Sequence, residues 1–346
     1  MSVVDLTNCR SVIFGCEGTT LSAAEKKFFK AEQPVGFILF SRNVETPKQL
    51  KKLVKSLRTA VGRPDAPVLI DQEGGRVQRL RAPHWFEAKS FGHFGDLYQT
   101  DPERAIEALR LTARLIAADL REAGITVNCT PCLDLHLPET VDAIGNRAFA
   151  DNPQVVARLG AVVAEEMLTA GIIPVVKHMP GHGRATIDSH HALPHVGAPH
   201  DTLQETDFAP FKTLSVLPWG MTSHIVFDAI DPDHPATQSA AIIKDVIRGE
   251  IGFSGLLLTD DLNMEALSGS LAERATAALE AGVDIVLHCS GVLTEMQELA
   301  AVCPPLTEEA QARIELGNRV FDHTPDKIDA KADLARLNDL LETDIA

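Results

Sequence analysis

Short apolar runs recur along the chain at residues 11–14, 36–40, 67–71, 125–129, 172–177, 220–224, 255–260 and 283–288, each of the kind that makes a buried strand. Between them the spacing of apolar positions predicts helices over 22–31, 47–61, 102–123, 154–169, 207–214, 239–247 and 272–281. Local signals agree. Asp101 before Pro102 is an N-cap with proline at the first helical position, and Gly124, Gly171 and Gly282 each stand just past a helix end. Eight β-then-α units imply a parallel sheet with right-handed crossovers. Over 346 residues they fit an α/β fold of the single (β/α)8 TIM-type barrel better than an open doubly wound sheet, which the pattern alone leaves open.

The polar residues favour the barrel. Asp71, Lys177 with His178, His224 and Asp260 each close an apolar run, and in a barrel such C-terminal strand ends converge on one mouth. No low-complexity tract, longer repeat or linker interrupts the alternation, so residues 1–346 read as one domain. The charged, amphipathic tail 326–346 reads as an outer helix with a frayed end.

Composition narrows the function classes. A net charge of -16 argues against a surface for nucleic acid, and no basic run interleaved with aromatics appears. Residues 1–10 lack the basic-then-apolar order of an export signal, and no run reaches the roughly 18 apolar residues of a membrane span. The expectation is a soluble cytoplasmic protein that engages neither membrane nor nucleic acid. Six scattered cysteines suit reduced thiols, and Cys129 with Cys132 lacks the second C-x-x-C pair of a structural zinc site.

Chemistry concentrates at 177–195, K-H-M-P-G-H-G-R-A-T-I-D-S-H-H-A-L-P-H. Six of the 13 histidines fall between residues 178 and 200, where prolines and glycines forbid regular structure, so a long loop follows the strand. His178 and His182 are separated by Pro180 and Gly181 and cannot share a helix face as zinc-binding H-E-x-x-H does. Asp188-Ser189-His190 places a carboxylate beside an imidazole, a pair able to donate and then remove a proton. Ser189 has no nucleophile elbow.

Three further segments matter. Asp260 and Asp261 end a strand, where they supply either a nucleophile with an orienting partner or caps for the next helix. The stretch 71–79, D-Q-E-G-G-R-V-Q-R, fails as a dinucleotide fingerprint because its glycines are adjacent; it reads as a polar clamp in which Asp71 accepts from sugar hydroxyls. Arg147 occupies a similar loop at 143–149, where a surface ion pair is the plainer reading.

Taken together, P-V-G-F-I-L-F-S-R-N at 34–43, I-D-Q-E-G-G-R-V-Q-R at 70–79, I-G-N-R-A-F at 144–149, K-H-M-P-G-H-G at 177–183, D-S-H at 188–190 and T-D-D-L-N-M at 259–264 resemble glycoside hydrolase family 3. The likeness is to its single-domain bacterial β-N-acetylhexosaminidase branch. It implies Asp260 as nucleophile, His190 as acid/base partnered by Asp188, and sugar contacts from Asp71, Arg79, Arg147, Lys177 and His178. Arg184 departs from the small or acidic residue of many relatives, and a cation there is expected to affect the loop or what it meets beyond the sugar.

What the resemblance implies is a retaining exo-β-N-acetylglucosaminidase without metal or organic cofactor, releasing N-acetylglucosamine from 1,6-anhydro-N-acetylmuramic acid conjugates in peptidoglycan recycling. Its partner is a small carbohydrate or muropeptide substrate, and the protein is expected to be a monomer or weak homo-oligomer. The glycine-rich His190 loop is expected to be mobile. A β-glucosidase or glycoside phosphorylase of the same family, a metal hydrolase and a non-catalytic sugar-binding barrel are the alternatives.

Overall fold

In the computed structural model, which describes residues 6–325 and 327–342, eight parallel strands close into a ring. They are β1 (Arg10–Phe14), β2 (Pro34–Leu39), β3 (Val68–Ile70), β4 (Val127–Asn128), β5 (Ile173–Met179), β6 (Trp219–Thr222), β7 (Leu256–Asp261) and β8 (Ile285–His288). Each pairs with its neighbours in sequence, and β8 returns to β1 through Val12 opposite Val286. A closed ring has no edge strand, which excludes the doubly wound alternative. Residues 1–5, 326 and 343–346, which include half of the N-terminal stretch 1–10 and the expected frayed end of the tail, lie outside the described residues.

Strand alternation explains how the barrel is filled. Ile13, Leu69, Val127, Ile173, Val175, Trp219, Leu256, Leu258, Ile285 and Leu287 form one buried cluster inside the ring. Their strand neighbours Val12, Phe14, Val68, Ile70, Val176, Leu257 and Val286 join a separate cluster under the helices. Successive side chains point to opposite faces, so each strand feeds both layers. Burying each such aliphatic side chain is worth roughly 1.5–3 kcal/mol.

Two residues further along an inward row, the chain reaches the mouth. Asp71 follows Leu69, Lys177 follows Val175, Asp260 follows Leu258 and Cys289 follows Leu287, and all four line one cavity. At the opposite end Leu6, Cys9, Leu306, Ala310 and Ile314 join the inner cluster, so the helix Glu308–Asn318 closes the bottom of the barrel.

The helices Ala23–Glu32, Pro47–Val61, Pro102–Ala123, Pro153–Thr169 and Leu271–Ala281 lie within one residue of their expected bounds. Thr46, Asp101 and Asn152 cap them with proline following, and Gly62, Gly124 and Gly282 end them in the left-handed region. Elsewhere the expectations need correction. The helix expected at 207–214 is the single short helix Ala209–Thr213, preceded by an additional short helix His200–Glu205, and the one at 239–247 is wound as a π-helix over Ile242–Glu250. The helix Phe91–Thr100 is additional to the expected elements and carries Gly92 and Gly95 in its first turns. A Cβ at Gly95 would stand 1.6 Å from the Phe149 carbonyl oxygen, so this glycine serves close helix packing. Leu293–Val302 and Glu308–Asn318 are also additional, flanking Pro304 and Pro305.

The tail forms the helix Ala330–Glu342, which buries Leu337 and Leu340 and bonds through Arg336 to Glu107 on the helix Pro102–Ala123. Among the described residues no helix is long and apolar enough to cross a membrane.

Candidate active site

The mouth holds a cavity of about 270 Å³ whose floor is a buried charge network. Lys177 Nζ lies 2.8 Å from both Asp71 Oδ1 and Glu73 Oε1. Arg79 takes the other oxygen of Asp71 at 3.0 Å, and Arg147 grips Glu73 with two parallel bonds of 3.0 and 2.8 Å. Burial pushes both carboxyls up, but the neighbouring cations outweigh it, holding Glu73 at about 2 and Asp71 lower still. Lys177 is buried as well, and the two carboxylates keep it protonated well above the ordinary lysine range against the desolvation of its site. Glu73 is delivered by a hairpin of Gln72–Gly74 and Val77–Gln78, whose turn needs the positive φ of Gly74 (118°) and Gly75 (56°). Arg147 is therefore a floor residue and not a surface ion pair.

A second hub lies behind His178. Asp134 accepts from His178 Nδ1 at 2.7 Å, from the His178 and His182 amides at 3.2 and 2.7 Å, and from Cys132 Sγ at 3.1 Å. Desolvation opposes its ionisation, but His178 overcomes this and holds the carboxyl well below the usual range. With Nδ1 committed, His178 turns Nε2 to the cavity, 3.5 Å from Arg147 Nη2 and 3.9 Å from Asp260 Oδ2. Strict alternation would turn His178 away from Lys177's side; a register shift between Val176 and Met179 re-aims it, and β5 runs on to Met179 instead of ending at Lys177.

The environment separates the two adjacent aspartates. Burial works against ionisation of Asp260, yet His178, His224, the Asp261 amide and Lys177 lower it below the ordinary value. Asp261 is raised to about 6, chiefly by burial, and accepts from the amides of Asn263 and Cys289. Of the pair, Asp260 is the stronger acid and stays ionised through the range in which Asp261 takes up a proton. Neither caps a helix, because the following helix begins at Leu271 with Ser270 as its cap. His224 is buried behind them, its Nε2 3.0 Å from the Asp261 carbonyl oxygen.

On the cavity wall, Asp188 Oδ1 accepts from His190 Nδ1 at 2.8 Å and from the His190 amide at 2.9 Å. That leaves Nε2 as the free nitrogen of a ring 62 % exposed. The loop's glycines have a packing role: Gly181 and Gly183 are buried, and a Cβ on Gly183 would meet the Leu135 carbonyl oxygen at 2.5 Å. Arg184 turns inward to Asp207 at 2.7 Å and Thr206 at 3.1 Å, so it anchors the loop and does not line the cavity. Of the six clustered histidines three serve the site; His195 pairs with Asp228 and His200 with Glu250 elsewhere.

Every residue expected to act on the sugar lines this cavity, and two essential partners were missed. Glu73 lay within the D-Q-E-G-G-R segment, and Asp134 is a lone acid inside the apolar stretch P-C-L-D-L, the signal of a buried carboxylate needing a partner. Cys132, Asp134 and His178 form the one cluster among the described residues with metal-ligand atoms within 4.8 Å of each other. Asp134 already bonds both of the others, and burial pushes the Cys132 thiol far above its ordinary value, so the trio is a hydrogen-bonded hub.

Residues 5–320 match the profile described as Glycosyl hydrolase family 3 N terminal domain. A beta-hexosaminidase of Alkalilimnicola ehrlichii is 39% identical over 283 residues, covering 81% of this chain and 80% of that protein. One from Xanthomonas campestris is 36% identical, covering 80% and 84%. The crystal structure of NagZ from Neisseria gonorrhoeae in complex with N-trifluoroacetyl-D-glucosamine superposes with a TM-score of 0.86 at 30% identity, over 97% of this chain and 99% of that one.

Proposed function

This chain belongs to glycosyl hydrolase family 3 and is a β-N-acetylhexosaminidase; from that premise we propose that it is a retaining exo-β-N-acetylglucosaminidase acting on 1,6-anhydro-N-acetylmuramic acid conjugates in cytoplasmic peptidoglycan recycling. The observation that carries the mechanism is the ionised Asp260 at the foot of a cavity whose wall bears the Asp188–His190 pair. The ligand of the Neisseria relative, an N-acyl glucosamine, supports the sugar assignment.

In the first step Asp260 attacks the anomeric carbon while the glycosidic C–O bond breaks and His190 Nε2, in its acid form, gives its proton to the leaving oxygen. Asp188 holds Nδ1–H throughout, which fixes the ring's orientation and stabilises its charged form. In the second step neutral His190 removes a proton from water as that water displaces Asp260. Asp71, Arg79, Arg147, Lys177 and His178 hold the sugar, using donors and acceptors already oriented by one another.

Hydrolysis of the 4-nitrophenyl β-glycosides of N-acetylglucosamine, glucose and N-acetylgalactosamine, with and without phosphate, tests the reading. The N-acetylglucosaminide should be cleaved fastest, to free sugar, at a rate indifferent to phosphate. Phosphate-dependent release of a sugar 1-phosphate would make the protein a phosphorylase, and a faster glucoside would make it a β-glucosidase. An anhydromuramyl disaccharide left intact would remove the recycling role.

A further inference from the structure

Ser189 stands between the two members of the dyad, and the proposed chemistry does not use it. Asp188 and His190 are open to solvent, whereas Ser189 is only 3% exposed. Its hydroxyl lies 3.1 Å from Nε2 of His182, and its carbonyl oxygen accepts from the Ala266 amide at 3.2 Å. Among the described residues these are the hydrogen bonds that leave the segment 186–193, and both start from Ser189. The other ties of this loop lie at its two ends: Thr140 to Gly183, Val141 to Ala185 and Arg184 to Asp207 before the segment, and Val226 to Pro194 and His195 to Asp228 after it.

What Ser189 grips is itself fixed. The His182 amide is held by Asp134, the carboxylate that orients His178, and the two imidazoles meet edge to face with ring centres 5.7 Å apart. Ala266 belongs to the connection that follows β7, the strand carrying Asp260. One buried serine thus joins the acid/base segment to the supports of both the sugar-contacting histidine and the nucleophile. Burial keeps His182 neutral, pushing it down to about 4, so its ring pairs with a hydroxyl without bringing a charge to the seam.

We propose that Ser189 and His182 form a latch that holds the Asp188–His190 dyad over the cavity, with Ser189 as a positioning residue acting through His190. The proposal rests on the reading of His190 as the acid/base. It predicts a loss confined to the step that needs proton donation, because an open latch misplaces the acid and leaves Asp260 and the sugar contacts in place.

Ser189→Ala should lower kcat on an N-acetylglucosaminyl disaccharide roughly tenfold, the scale of one lost buried hydrogen bond. KM should hold, and kcat on the 4-nitrophenyl glycoside, whose leaving group needs little protonation, should change less than about threefold. Ser189→Thr, which keeps the hydroxyl, should recover most of the loss. Amide hydrogen exchange over 186–193 should accelerate in Ser189→Ala, and no further in the double variant with His182→Leu. Equal losses on both substrates, or unchanged exchange, would overturn the latch. His190→Ala run in parallel separates the two ideas. If it affects both substrates alike, the acid/base reading fails while exchange still reports on the latch; if it discriminates and Ser189→Ala does not, the latch alone fails.

Discussion

On the floor of the cavity every charge on Asp71, Glu73, Arg79, Arg147 and Lys177 meets an opposite charge within 3.0 Å, and Lys177 and Glu73 are almost wholly buried. Thirteen residues beyond Lys177 in the chain, His190 stands 62 % exposed with a single charged partner. The difference follows from what each region must do. A floor that excludes water cannot leave a charge unpaired, since desolvating an isolated ion costs several kcal/mol or more. Its groups therefore orient one another, with Lys177 on β5 and Asp71 and Glu73 within three residues of the end of β3. On the proposed reading His190 must admit a substrate and later a water, and it sits on a segment with no regular structure, exposed and tied down at few points.

The sharpest way to break this contrast is at Asp260. Asp260→Ala should abolish turnover on every substrate, because no group in the loop can replace a nucleophile. A slow 5-fluoro analogue of N-acetylglucosamine should leave a one-sugar adduct on the intact protein, in the peptide that contains Asp260. No adduct under demonstrably slowed turnover, together with tight inhibition by a thiazoline, would make the substrate's own acetamido oxygen the nucleophile and Asp260 a polarising group.

Removal of the loop's acid should be conditional where removal of the floor's nucleophile is absolute. His190→Ala should cost about 10²–10⁴-fold on a disaccharide and much less on a 4-nitrophenyl glycoside. Asp188→Asn should follow the same pattern at smaller size. Equal losses on the two substrates would take the acid role from His190.

A smaller effect is expected one step back on the floor. Asp71→Ala should reduce kcat/KM by roughly one to two orders of magnitude, the scale of one or two lost hydrogen bonds to a charged group. A near-normal value would mean that Asp71 only holds Arg79 and Lys177 and touches no sugar.

The smallest effect is on stability and concerns pH. Glu73 is depressed to about 2 from an ordinary value near 4.5, and Asp71 and Asp134 are depressed too. A carboxyl depressed in the folded state contributes stability above its unfolded value and loses it as pH falls through the folded one. Thermal unfolding followed by circular dichroism should thus show Tm falling between about pH 4.5 and 2, with a shallower slope in Glu73→Gln. An Asp188→Asn variant should change that slope less than Glu73→Gln does, since the Asp188 carboxyl is less buried and has no fixed cation against it.

Much of the site was legible because strands alternate. Once the apolar runs are placed, Asp71, Lys177 and Asp260 fall two residues beyond inward-facing Leu69, Val175 and Leu258, and a period of two is a local property of the chain. D-S-H was legible for a similar reason, as its partners are two residues apart. The helix Phe91–Thr100 was hidden because its glycines answer to a contact with Phe149, which no local pattern reveals.

The amino-acid sequence by itself determined that Asp71, Lys177 and Asp260 face the mouth and which strand ends carry them, since backbone geometry within one strand suffices to decide that; His178 reaches it only through a register shift. Only the tertiary structure decided who neutralises whom. Arg147 meets Glu73 across 74 residues and His178 meets Asp134 across 44, and these pairings exist because β3, β4 and β5 lie side by side and bring the segments that follow them within bonding distance. Neighbours supplied by other parts of the fold likewise lower Asp260, while burial raises Asp261, and Arg184 turns inward to Asp207. The physical reason is that electrostatic partnership depends on distance through space, whereas alternation depends on position along the chain.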